Sequence, residues 1–125
     1  MKLNYVIIYV EDALRATEFY QKAFDLKTRF VHESNTYAEM DTGETILAFA
    51  NNEMLQMNTG IEASTGTKKC FEIAFTTDDV SKSFEKAILN GAKEIRKPEE
   101  KSWGQTVAYV QDIFGTIIEI CTVME

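Results

Sequence analysis

Two glutamates stand inside aliphatic runs where a charge is out of place: Glu72 in Phe71-Glu72-Ile73-Ala74-Phe75, and Glu119 in Ile117-Ile118-Glu119-Ile120. Both runs read as strands, in which successive residues point to opposite faces. Alternation puts Phe71, Ile73 and Phe75 on one face, against Cys70, Glu72 and Ala74 on the other. In the second run, Ile118 and Ile120 oppose Ile117, Glu119 and Cys121. The uninterrupted aliphatic faces are the ones to pack under helices, so both carboxylates are expected on the other side. The plain alternative is an edge strand whose glutamate is simply solvated. If the two strands are neighbours, repulsion and partial burial make at least one acid hold its proton to higher pH, unless a cation sits between them. Such a pair can share a proton as general acid and base, bind a metal, or recognise an amine.

Other chemistry is sparse. Catalytic first-row metals are usually held by imidazole as well as carboxylate, and the sole histidine, His32, reads as a strand residue of the first half. No cofactor is expected. If a divalent cation does bind, Glu72 and Glu119 with waters are its ligands. Cys70 shares the parity of Glu72, but carboxylates raise a nearby thiol pKa and disfavour the thiolate, so its role reads as structural. Two cysteines make neither a disulfide scaffold nor a metal motif. Trp103 sits in a polar loop with Lys101, Ser102 and Gly104, just before Gln105, where an indole can stack on a planar ligand.

The elements that position these groups are written twice. Tyr5 opens a strand-like run entering an acidic turn and an amphipathic helix (YVIIYVEDALRATEFYQKAF), and the pattern recurs at Glu72 (EIAFTTDDVSKSFEKAILNGAK). In each half a glycine then introduces a β-branched strand, Gly43 before Thr45-Ile46-Leu47 and Gly115 before Thr116-Ile117-Ile118. The period is roughly 60–70 residues, longer than the ~20–50 of solenoid repeats, so this is two modules rather than an array. Each half reads βαβββ. Asp12 caps a helix with Ala13, Ala16, Phe19, Tyr20, Ala23 and Phe24 on its apolar face, and Asp78 or Asp79 caps one with Val80, Phe84, Ala87 and Ile88, closed by Asn90-Gly91. Strands are expected at 3–10, 27–33, 36–41 and 45–50, then at 69–76, 94–97, 105–111 and 116–122, with Pro98 ending one of them. Module one spans 1–50, a polar linker with one helical turn spans 51–68, and module two spans 69–125, fused into one domain.

A chain of 125 residues with 45% hydrophobic content can bury a core. Its longest apolar run, Tyr5 to Val10, is far shorter than the ~20 residues of a membrane span, and the amino terminus lacks the order of a signal peptide. The expectation is a cytoplasmic protein away from membranes. A net charge of -7 disfavours a nucleic-acid partner, which requires a basic footprint.

This order, its duplication and three local motifs (VEDALRATEFYQKAF, DDVSKSFEKAILNGAKE and WGQTVAYVQDIFGTIIEI) resemble the vicinal oxygen chelate superfamily, which includes glyoxalase I, bleomycin-resistance proteins, fosfomycin-resistance transferases, methylmalonyl-CoA epimerase and the extradiol dioxygenases. The resemblance implies an α+β fold in which two βαβββ modules form curled sheets enclosing a cup, with homodimers the usual assembly. It also implies one metal-ligand position on the first and last strand of each module: Tyr5, Leu47, Glu72 and Glu119, with Leu47 obtained by counting four residues on from Gly43 as Glu119 lies four on from Gly115. That quartet holds no imidazole, and leucine cannot coordinate. The chain is therefore closer to the bleomycin-resistance branch, which binds drug in an apolar and acidic groove without chemistry. The expected ligand is a small, cationic and aromatic molecule, sequestered as drug or metabolite. Its contacts are Tyr5, Tyr9, Leu47 and Phe49, taken to share the cup-facing parity, with Glu72, Trp103, Gln105 and Glu119. The alternative is a metal- or carboxylate-dependent lyase or isomerase whose catalytic candidates are Glu119 and Glu72.

Overall fold

The computed structural model describes residues 3–60, 62–63 and 71–123. The chain divides into two compact units, Met1–Thr65 and Gly66–Glu125.

In the first unit, strand β1 (Tyr5–Val10) leads into helix α1 (Ala13–Phe24), followed by β2 (Lys27–Val31), β3 (Tyr37–Asp41), β4 (Ile46–Asn51) and helix α2 (Asn52–Thr59). The sheet order is β1-β4-β3-β2, with β1 parallel to β4 and the other pairs antiparallel. Asp12 begins α1 as its composition requires: Oδ1 accepts the Arg15 N–H at 3.1 Å, one of the amides a helix start leaves unpaired. Asn51 Oδ1 takes another, the Ala13 N–H, at 2.8 Å, tying the end of β4 to the start of α1. At the far end Asp25 adopts the left-handed conformation (φ 57°), which glycine takes most easily. α1 buries Ala13, Ala16, Phe19, Tyr20 and Ala23 against the sheet, where Tyr20 meets Phe49 with ring centroids 4.7 Å apart. The stretch expected to be a linker thus holds an eight-residue helix, more than one turn.

The second unit repeats the plan with β5 (Glu72–Thr76), α3 (Val80–Leu89), β6 (Lys93–Glu100), β7 (Thr106–Gln111) and β8 (Ile117–Cys121), in sheet order β5-β8-β7-β6 with β5 parallel to β8. Asp79 is the cap, its Oδ1 accepting the Lys82 N–H at 3.0 Å. Gly91, not Asn90, takes the positive φ (107°) that ends the helix. Val80, Phe84 and Ala87 of α3 are buried together with Ala108, Val110, Ile118 and Ile120 of the sheet. Pro98 does not end a strand. It lies within β6, where the register with β7 slips between Arg96 and Glu99, and β6 is an edge strand on which a residue without an N–H costs no ladder bond. Lys69 and Cys70, expected in the fifth strand, lie outside the described residues. No helix of the described residues is long and apolar enough to cross a membrane.

The turn before β8 is built on one carboxylate. Asp112 is buried, and its Oδ1 accepts the N–H groups of Phe114 and Thr116, each at 2.8 Å. Its counterpart Asp41 is exposed, and its oxygen lies 3.5 Å from the Gly43 N–H. Asp112→Ala therefore strands buried donors and is expected to lower unfolding stability by about 2–3 kcal/mol in urea titrations, while Asp41→Ala costs less than about 0.5 kcal/mol.

Candidate functional site

The parallel pairing of β5 with β8 determines where the two acids go. Glu72 stands opposite Ile117, and Ala74 opposite Glu119. Glu72 and Glu119 therefore share one face of the sheet on diagonal positions, close enough for their side chains to hydrogen-bond. Ile118 and Ile120 point the other way and are buried with α3. A hydrogen bond with Glu119, partial burial and the Glu119 charge, in that order, raise the Glu72 pKa above the ordinary glutamate range.

Two further groups share this face. Tyr109 of β7 stands directly opposite Glu119. Partial burial, then the charges of Glu119 and Glu72, hold its phenol protonated above the usual range. Cys121, two residues beyond Glu119, is buried, and its thiol is pushed up by burial and by Glu119. It is a protonated neighbour, not a nucleophile. At one end of β7 the Trp103 ring is exposed, yet it is fixed in place: Nε1–H donates to Gln105 Oε1 at 2.9 Å, and Gln105 Nε2 donates to the Thr122 carbonyl at 2.7 Å. Gly104, with φ 92°, closes the turn through its N–H to the Lys101 carbonyl.

On the first sheet the expected grouping of Tyr5, Tyr9, Leu47 and Phe49 is corrected. Tyr5 pairs with Ile46 and Tyr9 with Ala50, so Tyr5, Ile7 and Tyr9 share a face with Ile46, Ala48 and Ala50. Leu47 and Phe49 pair with Val6 and Ile8, face α1 and are buried. The count from glycine misleads because Gly43 precedes the strand residue opposite Tyr5 by three positions, whereas Gly115 precedes the residue opposite Glu72 by two. The positional counterpart of Glu119 is Ala48, which has no donor.

The face of the first sheet away from α1 holds a cluster not anticipated from the sequence. Tyr37 OH donates to Glu39 Oε2 at 2.7 Å, and Arg29 Nε lies 3.3 Å from Glu39 Oε1. Burial and the Glu39 bond push the Tyr37 phenol far above its ordinary range. Tyr109 and Glu39 were both within reach of the alternation used for Glu72: Gln105, Val107 and Tyr109 share one parity, as do Tyr37, Glu39 and Asp41.

These donors do not suit a first-row transition metal. Glu72 and Glu119 supply oxygen only, Leu47 points under α1, and His32 lies in the exposed turn after β2 with its Nδ1 2.7 Å from Ser34 Oγ. Among the described residues no three or more His, Cys, Asp or Glu side chains converge to hold an ion.

Comparison with known proteins agrees with this architecture. The pattern of the glyoxalase-like domain matches residues 3–125. An uncharacterised protein of Bacillus subtilis (strain 168), YraH, is 28% identical over 124 residues, spanning 96% of this chain and 97% of its own. The crystal structure of a glyoxalase/bleomycin resistance protein/dioxygenase family enzyme from Burkholderia phytofirmans PsJN is 28% identical with a TM-score of 0.79, covering 98% of this chain and 99% of that one. A glyoxalase-related enzyme from Fulvimarina pelagi, at 18% identity, shares the fold with a TM-score of 0.86 over 98% of this chain and 88% of its own. The chain belongs to the glyoxalase-like domain family of the glyoxalase/bleomycin resistance/dioxygenase superfamily.

Proposed function

We propose that the face of the second sheet away from α3 binds a small organic cation with a flat apolar part, holding it as drug or metabolite without a transition metal. Glu72 and Glu119 take the positive charge, the Tyr109 hydroxyl lies beside them, and Trp103, braced by Gln105, offers a ring to stack on. The observation that carries this reading is the placement of Glu72 and Glu119 on one face of neighbouring strands, with no ion-paired lysine or arginine among the described residues. A protonated amine between the two carboxylates offsets the repulsion that helps to raise the Glu72 pKa. A homodimer in the cytoplasm is part of the same proposal, and gel filtration tests the assembly.

The sign of the pH effect follows from the raised Glu72 pKa. A carboxyl whose pKa is raised by folding favours the folded state at acid pH, and that contribution is lost as pH rises through the Glu72 titration. Cation affinity runs the other way, growing as that proton leaves.

A second reading is favoured by the same placement: Glu119, with Glu72, acting as proton acceptor in a lyase or isomerase, alone or around a divalent ion. Solvent deuterium entering an acidic C–H of the ligand, and lost in Glu119→Gln, would select it. A thermal shift with divalent ions that also vanishes in that variant would select its metal-assisted form.

For the binding reading, 4-phenylbenzylammonium is expected to quench Trp103 fluorescence more strongly at higher pH, with about tenfold weaker binding in Glu119→Gln. Equal binding of 4-phenylbenzyl alcohol, or no effect of Glu119→Gln, contradicts it.

A further inference from the structure

The first sheet carries a constellation that, unlike the acid pair, includes a cation. Arg29 lies at the irregular step of β2 and turns its Nε to Glu39, leaving its terminal nitrogens without a partner among the described residues. The Arg29 side chain is 55% exposed and that of Glu39 only 12%, so the cation is the more accessible of the two. Glu39 is engaged on both oxygens, by Arg29 and by the Tyr37 hydroxyl. Phe30, opposite Glu39 in the ladder, is 45% exposed, and on the same face the edge strand β1 carries Tyr5 and Ile7, 48% and 42% exposed. Phe30 and Tyr37 rings lie 6.4 Å apart, and Tyr5 is near enough to Tyr37 to add to the raising of its pKa. An exposed ring beside a half-paired guanidinium, on a face that carries further exposed apolar side chains, makes a surface suited to a ligand with a flat apolar part.

The charge selects the partner. A guanidinium fork matches a carboxylate in two parallel hydrogen bonds, and the adjacent rings stack on a flat apolar body. We propose that this face of the first sheet binds a planar aromatic carboxylate, its anionic group on the terminal nitrogens of Arg29 and its ring against Phe30, Tyr37 and Tyr5. Glu39 is a positioning residue: it orients Arg29 through Nε and lowers anion affinity by its own charge. A cationic ligand is disfavoured because it meets Arg29 first. This site goes beyond the acid-pair reading and stands or falls separately from it.

The test titrates the protein with 2-naphthoate, 2-naphthylmethanol and 2-naphthylmethylammonium, following amide resonances of β2 and β3 so that binding at the other sheet is not counted. Naphthoate alone is expected to shift those resonances in a saturable way, about tenfold more weakly in Arg29→Gln. Glu39→Gln, which removes the competing charge, is expected to bind several-fold more tightly, a gain that a merely structural role for Glu39 would not produce. Should Arg29→Gln prove unstable with Glu39 left unpaired, the neutral double variant Arg29→Gln/Glu39→Gln is expected to fold and to lose naphthoate binding. Equal shifts by all three naphthyl compounds, or naphthoate affinity unchanged without Arg29, would overturn the proposal.

Discussion

The register of one parallel strand pair decides which face of the second sheet its two acids occupy. With Glu72 opposite Ile117 and Glu119 opposite Ala74, two carboxylates fall on the same face of the second sheet within hydrogen-bonding reach. A slip of one residue would send one of them under α3, where an uncompensated charge is expensive to bury. The burial of Ile118 and Ile120 guards against that slip, since each gains roughly 1.5–3 kcal/mol by leaving water. The aliphatic face thus fixes the position of the polar one.

The duplicated modules have diverged on equivalent positions while keeping the same scaffold. Both helices start on an aspartate that accepts an N–H three residues on, Asp12 from Arg15 and Asp79 from Lys82. Both sheets pair their first and last strands in parallel. Yet Glu119 in the second sheet corresponds to Ala48 in the first, and Tyr109 to Glu39, the residues paired with them across the ladder. The second sheet consequently holds two acids on one face, and the first holds a carboxylate matched by arginine and phenol. The acid pair leaves its face of the second sheet negative, whereas on the first sheet Arg29 balances Glu39.

Much of this was legible in the sequence, because period-2 and period-3.6 patterns report burial directly. The strand runs and the two capped helices follow from alternation and cap chemistry alone, whereas the shared face of Glu72 and Glu119 also needs β5 and β8 to be neighbours, which alternation does not tell. Leu47 and Phe49 were misplaced for a different reason: turn length is not encoded in a glycine count, and one extra residue after Gly43 inverts the parity of the strand that follows. Pro98 misled because a sequence does not say which strand is an edge. The Arg29–Glu39 pair escaped because it depends on the irregular register of β2, a feature of packing rather than of any local pattern.

The raised Glu72 pKa is the most direct point of attack. Following the Glu72 side-chain carboxyl carbon by NMR as pH is raised should give a midpoint above the ordinary glutamate range, returning toward that range once Glu119 is replaced by glutamine. An ordinary Glu72 titration, indifferent to the residue at 119, would mean that the two acids do not face one another, and the site built on them would have no basis.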